Sequence, residues 1–208
     1  MSYPCGHYDQ HVAEINRVKK SDEAESRLFD AGIMGVYKHA TLDTFEPGNG
    51  TEVALQAAKD FVESPGGRGY GMVMYSQMNG AGKTHLARAI LHEVVVAGST
   101  GYWTRHCDMN HDNRRAYHRA GVLVVDDMWK RATKASAELL YDVLDLRAAR
   151  RVPTVITTNV TQRQAELVVG DEHGHVISGV YSRLSQMKVV EMNAADYRPK
   201  LSNNRGNR

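Results

Sequence analysis

The chain has 208 residues, 42% of them hydrophobic and 24% charged, which suits one globular domain with at most a small appendage and excludes a disordered or collagen-like chain. Lys and Arg number 26 against 24 Asp and Glu, a formal charge of +2. Bulk charge therefore does not mark a nucleic-acid binder, and any basic patch must be local.

Residues 8–30 are polar, with Val12, Ile15 and Val18 at helical spacing and a helix start at Ser21-Asp22-Glu23-Ala24-Glu25. Residues 31–50 read as a connector anchored by Phe45 and closed by the turn cluster Pro47-Gly48-Asn49-Gly50. Residues 1–50 are thus expected to be a thin helical appendage and connector. Thr51 is placed to cap a helix whose face carries Val53, Ala57, Ala58 and Phe61. Strands are expected over 71–76, 100–105, 122–126, 153–158 and 188–192. Helices are expected over 84–97, 136–150 (Leu139, Leu140, Val143, Leu144 and Leu146 inside) and 162–169. Strands alternating with helices predict an α/β fold, a parallel sheet with helices on both faces. Residues 202–208 read as a loose, flexible tail.

The two cysteines, Cys5 and Cys107, cannot build a disulfide framework and fit a reducing, cytoplasmic setting. The longest apolar runs, such as Val94-Val95-Val96-Ala97, fall far short of the roughly 20 residues that span a bilayer. The amino terminus also lacks the pattern of a signal peptide.

Residues 76–84 read Ser-Gln-Met-Asn-Gly-Ala-Gly-Lys-Thr, between an expected strand and an expected helix. That is the context of a Walker A phosphate loop. Glycines 80 and 82 let the backbone turn its N–H groups toward phosphate oxygens, and the helix N-terminus adds partial positive charge. The cradle is expected to comprise Asn79, Gly80, Ala81, Gly82, Lys83, Thr84 and His85. Lys83 would reach the β- and γ-phosphates and Thr84 would hold Mg²⁺. Gln77 stands where the motif opens with glycine, so the loop is expected to leave its strand differently.

Val122-Leu-Val-Val-Asp126-Asp127 is an apolar strand ending in two carboxylates. A buried parallel strand delivers such ends to the ligand crevice. Asp126 would hold Mg²⁺ and Asp127 would orient or deprotonate the attacking water. Val155-Ile-Thr-Thr-Asn159 ends the next strand in polar side chains. Asn159 either bonds the γ-phosphate and the lytic water, as a sensor does, or starts a turn or caps the helix at Gln162. Arg183 is either a finger for a neighbouring subunit's nucleotide or one half of a surface ion pair. The densest basic stretch, Arg105-His106 and Arg114 to Arg119 with Tyr117 and Trp103 nearby, would track a single strand or form a compensated loop with Asp108 and Asp112.

With these segments in order, the chain resembles the AAA+ ATPases of the DnaC/IstB type, the bacterial or phage helicase loaders and transposition helpers. The resemblance runs over residues 31–201. It is carried by Ala31-Gly32-Ile33 with Thr44-Phe45, Gly80-Ala-Gly-Lys-Thr-His-Leu-Ala87, Val124-Val-Asp-Asp127, Pro153 to Asn159, Tyr181-Ser-Arg-Leu184 and Asp196-Tyr-Arg198. It implies a P-loop NTPase sheet of order 5-1-4-3-2, and an AAA+ core over 51–201 without a separate helical lid. It also implies ATP and Mg²⁺ as cofactors. The implied partners are single-stranded DNA, a hexameric replicative helicase and further copies of the chain across the ATP interface, with no membrane. Three features depart from the family pattern: the loop opening Gln77-Met78-Asn79, the short segment between Thr104 and Gly121, and a short amino-terminal part. Cys5, His7 and His11 stand where relatives carry a zinc cluster, but a structural zinc needs four ligands. Two other readings remain beside the loader: a nucleotide-gated adaptor with little hydrolysis, and a small-molecule kinase. The double Asp and the Thr-Thr-Asn strand end speak against the kinase.

Overall fold

The computed structural model describes residues 22–48, 50–65, 70–170, 174–193 and 196. The expectations for Val12, Ile15 and Val18, for Cys5, His7 and His11, and for the 202–208 tail lie outside these residues. Among the described residues no helix is long and apolar enough to cross a membrane.

Five strands, β1 (Gly71–Tyr75), β2 (Gly101–Arg105), β3 (Val122–Met128), β4 (Thr154–Thr158) and β5 (Lys188–Glu191), form one sheet of order β2-β3-β4-β1-β5. Every pairing is parallel. This is the order implied by the resemblance. Strand side chains alternate between faces, so the inner strands β1, β3 and β4 feed two cores. Met72, Met74, Val122, Val124 and Val155 enter one, with the helices α2 (Glu52–Glu63) and α3 (Lys83–Val96). Val73, Leu123, Val125 and Ile156 enter the other, beneath α4 (Arg114–Arg119), α5 (Lys134–Ala149), α6 (Gln162–Val169) and α7 (Gly174–Leu184). Burial on both faces explains why β3 opens as an unbroken apolar run, Val122 to Val125, rather than an alternating one.

Residues 22–30 form α1, and a 3-10 turn spans Gly35–His39. Leu28, Ala31, Ile33 and Phe45 are buried in the first core, so this stretch packs as part of the sheet's cover. The Trp103 N–H donates to the Ala31 carbonyl at 2.9 Å, tying the stretch to the β2 edge.

Several local expectations change. Val53 is 73% exposed, and α2 buries Ala54, Ala57, Ala58 and Phe61 instead. Thr51 does not cap that helix with its side chain; its hydroxyl closes the preceding turn on Gly48. Within α5, Leu146 is only half-buried and Arg147 is fully buried. The Arg147 guanidinium donates to the Tyr117 and Ala120 carbonyls at 2.8 and 2.7 Å, to the Thr154 hydroxyl at 2.9 Å, and to the Pro153 carbonyl. It therefore satisfies carbonyls at the end of α4 that have no partner within that helix. Helix α7, absent from the expected elements, fills the link to β5.

Candidate nucleotide site

The phosphate loop leaves β1 at Ser76, whose hydroxyl accepts the Met78 N–H at 3.1 Å. This side-chain turn replaces the missing glycine. Gln77 is not among the residues with positive φ, so it carries no left-handed strain. Gly80 and Gly82 do lie in the left-handed region, at φ 77° and 89°. Gly82 is also the N-cap of α3, and a Cβ there would stand 2.8 Å from the Phe45 ring. Gly80 faces the Asp196 carboxylate, which occupies the space a side chain would need. Lys83 is buried, its ammonium donating to the Met78 carbonyl at 3.1 Å and weakly to that of Ser76 at 3.4 Å. Asn79 is exposed, Ala81 buried and Thr84 half-buried. His85 packs edge-on against Phe45, with Thr44 Oγ1 3.4 Å from its Nε2. Burial pushes this imidazole below the usual histidine value, opposed by a backbone hydrogen bond to Thr41.

Thr84 and Asp126 meet directly. The Thr84 hydroxyl donates to Asp126 Oδ1 at 2.9 Å, and the Thr157 hydroxyl donates to the same oxygen at 2.5 Å. Asp126 is 3% exposed. Burial raises its carboxyl above the usual range, the two hydroxyl bonds pull it back, the nearby Asp127 charge raises it and Arg88 lowers it. Thr157 Oγ1 also accepts the Asp127 N–H at 2.9 Å. One threonine thus holds both acidic residues of β3. It belongs to the polar end of β4, where the sequence pattern points to Asn159 alone. Its position opposite the β3 end is a matter of register, which depends on the irregularity between Val125 and Met128.

Beyond Asp126 the backbone is strained. Asp127, Trp129 and Arg131 have φ of 52°, 71° and 58°, a region that costs non-glycine residues about 1–3 kcal/mol each. Tertiary bonds hold it there. The Trp129 N–H donates to His106 Nδ1 at 2.9 Å, so His106 Nε2 carries the proton and donates to the Ser136 carbonyl at 3.1 Å. The Thr158 hydroxyl donates to the Met128 carbonyl at 3.1 Å. Trp129 is fully buried, edge-on to His106 and stacked on Tyr181 at 6.2 Å with 13° between the planes. Tyr181, on α7, donates its hydroxyl to the Val160 carbonyl at 3.0 Å. Burial drives His106 down to about 4, partly opposed by its Ser136 bond. His106 stands out in the sequence only within the basic stretch and Tyr181 only within the Tyr181-Ser-Arg-Leu184 segment, neither for this role, and nothing marks Trp129 for a left-handed position.

The remaining candidates are engaged elsewhere. The Asp127 carboxylate accepts from Lys130 at 2.9 Å. The Asn159 amide donates to Asn79 Oδ1 at 2.8 Å, bridging β4 and the phosphate loop. It does not cap α6; Thr161 does, in a reciprocal box with Gln164. Arg183 stands apart from these residues, its Nε and Nη2 donating to Asp145 Oδ1 at 2.9 and 2.5 Å. Tyr117 is fully buried, and Trp103 lies against the Arg88 guanidinium at 3.9 Å, opposite Tyr37. The aromatics named beside the basic stretch are therefore not free to stack on bases.

The sequence pattern of the IstB-like ATP binding protein family matches residues 71–205, and that of the bacterial DnaA ATPase domain matches residues 36–100. The chain is similar to the chromosomal replication initiator protein DnaA of Bordetella pertussis, 26% identical over 161 residues that cover 69% of this chain and 31% of the relative. It thus spans about a third of the curated relatives it matches. A solved DnaC helicase loader superposes with a TM-score of 0.60 at 25% identity, over 77% of this chain and all of that one. A replication initiator DnaA bound to AMPPCP and single-stranded DNA superposes with a TM-score of 0.62 at 19% identity, over 80% of this chain and 54% of that one, a likeness of fold. With the parallel sheet of this strand order and the Gly-Lys-Thr loop at its carboxyl edge, the chain belongs to the IstB-like ATP binding protein family, P-loop AAA+ proteins of the DnaC/IstB type.

Proposed function

We propose that the chain binds ATP with Mg²⁺ and hydrolyses it, as a cytoplasmic DNA-replication accessory protein that loads or remodels a hexameric replicative helicase on single-stranded DNA. The observation that carries this reading is the run of hydrogen bonds Thr84–Asp126–Thr157, which joins the phosphate loop, β3 and β4 at one edge of the sheet. One hydroxyl and one carboxylate on a shared bond fit Mg²⁺, which takes one or two carboxylates and fills its shell with water and phosphate oxygens. When bound, the ion neutralises charge on the β- and γ-phosphates.

The chain's own residues supply the rest. Loop N–H groups and the start of α3 receive phosphate oxygens. Lys83 exchanges the Met78 carbonyl for the phosphates. Thr157 keeps Asp126 oriented and fixes the Asp127 backbone. Asp127, once free of Lys130, orients the attacking water. Asn159, already beside Asn79, is within the loop's reach to bond the γ-phosphate. Arg183 leaves Asp145 to meet the nucleotide of a neighbouring copy, so self-association completes the site.

A second reading, the nucleotide-gated adaptor with little hydrolysis, draws on the Lys130 and Asp145 contacts, which hold Asp127 and Arg183 away from such work. ATP turnover with and without single-stranded DNA separates the two. DNA-stimulated turnover that Arg183→Ala reduces while leaving ATP binding intact supports the loader. ATP binding without turnover under either condition supports the adaptor. An IstB-like transposition helper shares the same core, and capture of a transposase rather than a helicase would identify it.

A further inference from the structure

The nucleotide site occupies the carboxyl edge of the sheet. At the opposite edge lies an open depression of about 510 Å³ lined by Arg114, Arg115, His118, Arg119 and Arg150, with His111 and one carboxylate, Asp112, at its margin. Arg119 lies just before β3 and Arg150 just after α5. Sixteen residues of α5, about 24 Å of helix, separate this end from the other. These cations therefore cannot act on the nucleotide bound by the same chain.

The charge here is not balanced locally. Arg114 shares Asp142 at 3.3 Å. The exposed side chains of Arg115, Arg119 and Arg150 make no ion pair among the described residues. His118 Nε2 is buried without a hydrogen-bond partner. Burial, and then the Arg114, Arg150 and Arg147 charges, hold that imidazole below the usual histidine value, a local readout of the positive field. The platform is fixed, because buried Arg147 bonds the Tyr117 and Ala120 carbonyls at the end of α4. No Phe, Tyr, Trp or large aliphatic side chain lines the depression.

We propose that this depression binds the phosphodiester backbone of a nucleic-acid duplex. Single-strand sites join a basic groove to aromatic platforms that stack bases, at about 1–3 kcal/mol per base. This one offers four guanidinium groups with two imidazoles and one carboxylate, and no Phe, Tyr or Trp face for a base, a set that suits contacts to phosphates. A duplex presents phosphates most densely, one charge per roughly 1.7 Å of axis. The surface would hold the double-stranded flank of a substrate while ATP acts at the far edge. The inference rests on the reading of the chain as a DNA-acting protein, but its test does not pass through turnover.

The test is fluorescence anisotropy of the full chain with a labelled DNA duplex of about 20 base pairs, one of its strands alone, and polyglutamate, across a salt series. The expected result is tighter binding of the duplex than of the strand or of polyglutamate. The triple variant Arg115→Gln, Arg119→Gln, Arg150→Gln should bind the duplex at least about tenfold more weakly, and its slope of log affinity against log salt should flatten by about 2 to 3. ATP binding by the variant, read in parallel, should be unchanged. Tighter binding of the single strand overturns the proposal. So does an unchanged duplex affinity in the variant, and so does polyglutamate binding tightest, which would make the surface a dock for an acidic protein. If the native chain binds no ATP yet shows these duplex results, the nucleotide reading fails and this one stands.

Discussion

Two loops leave the same edge of the sheet and use left-handed backbone in opposite ways. The phosphate loop places glycines at φ 77° and 89°, where a side chain would collide with Asp196 or Phe45. The end of β3 and the loop after it place Asp127, Trp129 and Arg131 at φ 52°, 71° and 58°, with His106, Thr157, Thr158 and Tyr181 holding Asp127 to Trp129 there. In the first, conformation is written into the residue type. In the second it is imposed by neighbours distant in sequence, and the buried Trp129 ring offsets the strain.

The largest expected effect sharpens this contrast. Trp129→Ala should lower stability by about 3–5 kcal/mol through the cavity it leaves. Trp129→Gly should lose less than Ala despite its smaller side chain, because glycine accepts φ 71° without strain. Denaturant unfolding of both variants reads the order, and Ala proving the more stable of the two would break the account of this loop.

The clamp on Trp129 is sensitive to acid. His106 falls from 6.5 to about 4 in the folded chain, so the unfolded chain takes up its proton first. Its contribution is fully present above pH 6.5 and is lost as pH falls toward about 4, amounting to about 3 kcal/mol. Asp126, with a raised carboxyl, works in the opposite sense at low pH. The comparison is therefore between the native chain and His106→Gln, whose stability should decline less over that window. Parallel acid profiles would contradict the assignment.

Gly82→Ala tests the other loop. Its Cβ would meet the Phe45 ring at a left-handed φ, and ATP affinity should fall about tenfold, roughly 1.4 kcal/mol. Adding Phe45→Ala should recover only part of this, since the backbone strain remains; full recovery would leave contact, not conformation, as the cause. The smallest effect is Tyr181→Phe, which keeps the ring stack and removes the hydroxyl bond to Val160. It should cost about 1 kcal/mol of stability, and no loss by thermal unfolding would show that the stack alone fixes the contact.

This contrast also explains what the sequence disclosed. The five strands and their parallel arrangement were legible because β1 and the first part of β3 are apolar on both faces, and the strands alternate with helical segments. The phosphate loop was legible because glycines, lysine and threonine are required in a fixed order. Arg147 was hidden: an arginine at the end of α5 reads as a solvated complement to the helix dipole, and only the fold brings the Tyr117, Ala120 and Pro153 carbonyls around it. Thr157, Trp129 and Tyr181 were hidden for the same reason, since their partners lie on other elements. Asn159 was undecided until Thr161 took the cap of α6 and Asn79 took the Asn159 amide.

The most direct measurement is equilibrium binding of ATP, with and without Mg²⁺, by the native chain and by Lys83→Ala. The account predicts Mg²⁺-strengthened binding that falls about a hundredfold, roughly 2.7 kcal/mol, when the buried ammonium is removed. Equal binding by both proteins, or binding indifferent to Mg²⁺, would contradict a nucleotide site built on Lys83, Thr84 and Asp126.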